Sequence, residues 1–197
     1  DPAVLQDCKK GSKKGKGRAT VYVWMDREII SVTSGWSETC LGLALDIGTT
    51  TVALYLCNLA TGDVIASESI TNPQVLFGAD IMSRIAYSAD HPDEGVRRMQ
   101  GELIKTVNTL IDEMVMKHGC SLGQIVDMTV VGNTVMHHIF LGLAPDRLGL
   151  WPFEPSVKES VNVKAHKLGL RINQGSYVHV LPVEAGFVGA DNVGVLI

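Results

Sequence analysis

Asp46, Gly48, Thr49, Thr50 and Thr51 place a carboxylate, a glycine and three hydroxyls within six consecutive positions. That set suits phosphate chemistry. A glycine lets the backbone approach an anion, the turn amides of Gly48 to Thr50 can point at phosphate oxygens, and Asp46 is placed to hold a hydrated divalent cation. The flanking runs, Leu43-Ala44-Leu45 and Val52 to Leu56, read as strands, so the same residues also fit the polar tip of an ordinary buried hairpin. A second anion-facing candidate is Gly132-Asn133-Thr134, between the apolar run Ile125 to Val131 and a helix over Val135 to Leu141. Strand, glycine turn, helix is an arrangement in which a helix N-terminus faces an anion, although Asn133 and Thr134 are equally good N-caps on structural grounds alone. Asp80 and Asp191 are expected to cap helices, and Glu184 is expected to be a solvated loop acid.

The elements that must position these groups follow from periodicity. Ala60-Thr61-Gly62-Asp63 is a turn and Val64 to Ile70 a third strand, which makes three antiparallel strands in succession. Asn72-Pro73-Gln74 breaks the pattern, and a helix is expected from Gly78-Ala79-Asp80 to about Ser88. Val96, Met99, Leu103, Val107, Leu110, Ile111 and Met114 recur at helical spacing and read as core packing, with Gly119 as the stop. Further on, Trp151 to Pro155 is expected as a rigid loop, Val161 to Ile172 as a hairpin, Val178 to Val183 as a buried strand, and Ala185 to Asp191 as the lead into a last helix. Before all of these, Ala19 to Val32 suggests a short hairpin turning at Met25-Asp26-Arg27, with Thr33 to Cys40 as a connector.

Composition narrows the function classes. Of the 197 residues, 46% are hydrophobic and 19% charged, a balance that supports a packed core. The net charge of −4 argues against nucleic acid as the main partner, and no long uncharged apolar run suggests a membrane helix. Cys8, Cys40, Cys57 and Cys120 are widely spaced and form no Cys-x-x-Cys pair, so they resemble neither a zinc site nor an iron–sulfur loop and are expected to be reduced cytoplasmic thiols. His137 and His138 are adjacent, point about 100° apart on a helix, and are poor joint ligands.

The element order is that of an α/β protein with a ribonuclease-H-like mixed sheet flanked by helices. With an Asp-x-Gly-Thr-Thr turn between the first two strands of the sheet, residues 41–197 resemble the first half of the actin, hexokinase and acetate-kinase ATPase superfamily. Three spaced motifs narrow the resemblance: Asn72-Pro73-Gln74 with Gly78-Ala79-Asp80-Ile81 and Arg84-Ile85; Val131-Gly132-Asn133-Thr134 with Met136 and His138; and Gly186-Phe187-Val188-Gly189-Ala190-Asp191. Together they look like the reductive activators of corrinoid proteins.

The resemblance implies an ATP-dependent protein that passes an electron to the cobalt of an oxidised corrinoid methyl carrier and so restores cobalt(I). It implies ATP and Mg2+ as cofactors, Asp46 as the catalytic residue that positions magnesium through water, and phosphate contacts from Gly48, Thr49, Thr50 and Thr51, joined by Asn133 and Thr134. It also implies an iron–sulfur cluster in the parent protein, for which this chain carries no ligand set. Nor does the chain contain a second Asp-x-Gly-Thr turn or a glycine-rich adenosine loop. The expectation is therefore one half of an actin-like ATPase fold, inactive alone, in three parts: a flexible basic linker (1–18), a remnant of a preceding middle domain with its connector (19–40), and a truncated ribonuclease-H-like subdomain (41–197). Expected partners are a corrinoid methyl carrier and the missing second half, with a homodimer as a further option. Two alternatives stay open: a small-molecule kinase of the same superfamily, and a non-catalytic module that binds a corrinoid protein.

Overall fold

The computed structural model describes residues 18–186 and 188–195. The basic linker expected at the N-terminus thus lies, apart from Arg18, outside the described residues, as does Phe187 of the last motif.

Two sheets form. The first is the antiparallel hairpin of β1 (Ala19–Trp24) and β2 (Glu28–Ser34). The second is six-stranded, with β3 (Leu41–Ile47), β4 (Thr51–Asn58), β5 (Val64–Thr71), β6 (Ile125–Gly132), β7 (Val161–Lys164) and β8 (Tyr177–Val180) in the order β5-β4-β3-β6-β8-β7. β3, β4 and β5 form an antiparallel meander, β6 joins β3 in parallel, β8 joins β6 in parallel, and β7 closes the edge antiparallel to β8. This is the α/β, ribonuclease-H-like mixed sheet expected from the element order.

The pleat decides which residues become core and which face outward. Leu41, Leu43, Leu45 and Ile47 of β3 and Val52, Leu54 and Leu56 of β4 are buried on one face. Ala44 and Asp46, one residue out of phase, emerge on the other. Against the apolar face packs α2 (Gly95–His118), whose Met99, Leu103, Val107, Ile111 and Met114 are at most 1% exposed. It ends at Gly119, which adopts φ +65°, a conformation glycine takes without Cβ strain. α1 (Ile81–Asp90) begins in a reciprocal capping box: the Asp80 carboxylate accepts from the Ser83 amide and the Ser83 hydroxyl accepts from the Asp80 amide. α3 (Thr134–Phe140) leaves β6 at the Gly132-Asn133 turn, and α4 (Ala190–Val195) follows β8.

One expectation is corrected. Val161 to Ile172 is not a hairpin, because after β7 the chain enters a 3-10 turn over Ala165–Leu168 and β7 pairs instead with β8. Leu170 and Ile172 are drawn into the core by burial rather than by sheet pairing.

The β1–β2 hairpin is fastened to the β7–β8 edge. Trp24 stacks on Tyr177 at 3.9 Å between ring centroids, while Glu28 accepts from Lys164 Nζ at 2.9 Å and from the Tyr177 hydroxyl at 2.7 Å. Those two donors hold the Glu28 carboxyl below its usual pKa.

Candidate functional site

The β3–β4 turn is held from behind by a buried polar cluster. Asn72 Nδ2 donates to Gly48 O at 2.7 Å, Arg84 Nη2 donates to Thr49 O at 2.6 Å, and the Asn72 amide donates to Thr50 O at 2.8 Å. Three successive carbonyls are thereby tied inward. Because N–H and C=O point opposite ways across a trans peptide, the amides of Thr49 and Thr50 project away from the clamp. The Gly48 amide is used differently from the expectation: it donates to Thr51 O at 2.9 Å and closes the turn on itself.

The clamp is locked by its own contacts. Asn72 Oδ1 accepts from the Gln74 amide at 2.9 Å, Gln74 Nε2 donates to Met99 O at 3.3 Å, and Arg84 also donates to Gly78 O, Gln74 Oε1 and Met136 Sδ. Asn72, Gln74 and Arg84 are all 0% exposed. The sequence motifs contain all three, but no role for them was legible. The available signal was Arg84 itself, a charge beside Ile85 and Ser88 on the buried stripe of α1.

The second anion candidate meets the first. Asn133 caps α3 by accepting from the Met136 amide at 3.0 Å, and its Nδ2 donates to Thr49 Oγ1 at 3.0 Å. Thr134 is turned elsewhere, with its buried hydroxyl donating to Ala185 O at 2.7 Å. Close backbone approach brings in the last motif. A Cβ on Gly189 would collide with the backbone of Asn133, so only glycine permits this packing.

That approach carries Asp191 to the site. Asp46 and Asp191 line one cleft of about 270 Å³ with Ala44, Tyr55, Thr129, Val131 and Gly194. Asp46 is accessible, yet loss of water to the cleft walls, followed by repulsion from Asp191, raises its pKa above the usual carboxylate value. Asp191 is not the cap expected of it: it lies inside the first turn of α4, where its carboxylate accepts from the adjacent Asn192 amide, and it lines the cleft opposite Asp46. Asp80 lies apart in its capping box, and the Glu184 amide donates to Val188 O. A larger cavity of about 480 Å³, with Cys40, Asp127 and His179, lies under the β1–β2 hairpin toward the other end of β6.

The profile of the RACo middle region matches residues 41–197. The chain belongs to that family. This RACo middle region is 34% identical over 185 residues to the corrinoid activation enzyme RamQ of Eubacterium limosum, a match covering 93% of this chain and 31% of RamQ. The solved structure of a reductive activator for corrinoid,iron-sulfur protein is similar with a TM-score of 0.84 at 31% identity, covering 96% of this chain and 31% of that one. The chain thus spans under a third of the length of either relative. Among the described residues, no helix is long and apolar enough to cross a membrane.

Proposed function

We propose that this chain is the first, phosphate-holding half of the ATPase-like domain of a cytoplasmic corrinoid activator. In the whole protein, ATP binding and hydrolysis would help drive an electron from an iron–sulfur centre to the cobalt of an oxidised corrinoid methyl carrier, restoring cobalt(I). The electron-transfer centre belongs to another part of that protein; this part contributes Asp46, the Thr49 and Thr50 amides, Thr51 and Asn133 to one side of the nucleotide site. The observation that carries the reading is the inward clamping of the Gly48 and Thr49 carbonyls, which leaves two adjacent amides as outward donors beside a carboxylate pair.

The donor set fits magnesium. Asp46, Asp191 and the threonine hydroxyls offer only oxygen, which hard cations prefer, and a cation would relieve the repulsion that raises Asp46. Among the described residues, no three His, Cys, Asp or Glu side chains converge as a ligand set. A magnesium ion held there would neutralise phosphate charge. Asp46 would hold it through water, Asn133 holds the Thr49 side chain, and Asp191 shares the cleft with Asp46.

Calorimetry of the chain with Mg·ATP tests this. Weak, magnesium-dependent binding without turnover is expected, and Asp46→Ala should abolish it. Binding that persists unchanged in Asp46→Ala, or its absence from the folded wild-type chain, would overturn the site. Micromolar affinity would contradict the inference that this half holds only one face of the nucleotide.

A further inference from the structure

Arg84 is a fully buried cation whose four hydrogen-bond partners, Thr49 O, Gly78 O, Gln74 Oε1 and Met136 Sδ, are all neutral. Among the described residues, no carboxylate lies within ion-pair distance of it. Asp80 is the one acid whose field it registers, and that carboxylate is engaged by Ser83. Burying a guanidinium without a counter-charge is costly, and neutral acceptors offset only part of the cost. The position of the charge suggests what compensates it. Arg84 donates to Thr49 O, the carbonyl of the peptide whose N–H belongs to Thr50. A donor on one end of a peptide polarises it and strengthens the donor at the other end. On the opposite side of that peptide lies the proposed phosphate position.

We propose that Arg84, aided by Asn72, is a positioning residue for a polyphosphate: it holds the Thr49 carbonyl inward, primes the Thr50 amide as a donor, and supplies from behind the loop a charge compensated by the bound anion. This rests on the phosphate reading of the loop. It adds a consequence that reading lacks, namely that a side chain never touching the ligand sets affinity through charge. The effect should be the same for pyrophosphate as for ATP, because nothing about Arg84 involves the nucleoside.

The test is amide NMR of the whole chain titrated with magnesium pyrophosphate at fixed ionic strength, for wild type, Arg84→Lys and Arg84→Met. In wild type, the Thr49 and Thr50 amide signals and the buried Arg84 Nε–H signal should shift on titration, while the Gly48 amide, already bonded to Thr51, moves little. Arg84→Met should weaken pyrophosphate and ATP alike by about tenfold, as expected for a partly screened charge acting through one peptide. Arg84→Lys should recover most of that loss, a rescue that a purely packing role would not produce. Wild-type affinity in a folded Arg84→Met overturns the role of Arg84 and leaves the phosphate loop standing, as does a loss in Arg84→Lys equal to that in Arg84→Met. A wild-type chain in which no loop amide responds overturns the phosphate reading and this inference together. If Arg84→Met does not fold, the wild-type Nε–H signal decides: a shift on saturation supports the proposal, and an unmoved signal refutes it.

Discussion

At the scale of single residues, α3 carries two buried histidines with opposite circumstances. His138 is satisfied: its Nδ1 donates to Thr134 O at 2.8 Å and its Nε2 accepts from the Ser156 amide at 2.9 Å, so the hydrogen bonds select the neutral tautomer. His137, 2% exposed, has no partner on either ring nitrogen among the described residues. Burial, with a smaller contribution from His138, pulls its pKa from 6.5 down to about 4. The unfolded chain therefore binds a proton that the folded chain refuses, and stability is full above pH 6.5 and lost as pH falls toward 4. With one unit worth about 1.4 kcal/mol, the loss is about 3 kcal/mol. Denaturant unfolding should show this decline in wild type and a much flatter one in His137→Leu, the remainder belonging to His138, whose pKa burial also lowers. Equal pH slopes in the two proteins would contradict it. These consequences were not legible in the sequence, where His137 and His138 were simply adjacent; only the packing of α3 shows which of them has partners.

At the scale of elements, the site is made by three segments that meet: the β3–β4 turn, the start of α3 and the approach to α4. The close contact between Gly189 and the Asn133 backbone joins the last two. Gly189→Ala has only backbone to push against, so it should cost about 1–3 kcal/mol by overpacking and also weaken Mg·ATP binding by displacing Asp191. Gly101→Ala on α2, where a Cβ meets nothing within 4 Å, should instead be neutral or stabilising and leave binding alone. Thermal unfolding and calorimetry on the two variants check both halves, and loss of stability in Gly189→Ala with unchanged affinity would detach α4 from the site. The elements themselves were largely legible. Alternating apolar residues marked β3 and β4, the 3.6-residue stripe marked α2, and Asp80 marked the start of α1. The β7–β8 pair was misread because its strands are four residues each and the segment between them is held by burial rather than turn chemistry.

At the scale of the whole molecule, a six-stranded mixed sheet buries one face against α2 and presents Asp46 on the other. The order of elements and the turn motif carried the fold, and the three spaced motifs carried the family. The clamp behind the turn could not be read in advance, because Asn72 and Arg84 reach Gly48 and Thr49 across 24 and 35 residues of sequence, and no local spacing records a contact of that kind. Nor did Asp191 announce its second position, since an acid in a first helical turn has a sufficient structural explanation. The central claim is that the turn from Asp46 to Thr51 holds nucleotide phosphates through a cation. Paramagnetic broadening by Mn·ATP in amide NMR of the intact chain tests it most directly, with Mn2+ standing in for Mg2+. The expected result is loss of signal centred on residues 46–51 and reaching Asn133 and Asp191, reversed by excess Mg·ATP. Broadening centred instead on Cys40, Asp127 and His179 in the cavity beneath the β1–β2 hairpin, with the Thr49 and Thr50 signals intact, would contradict it.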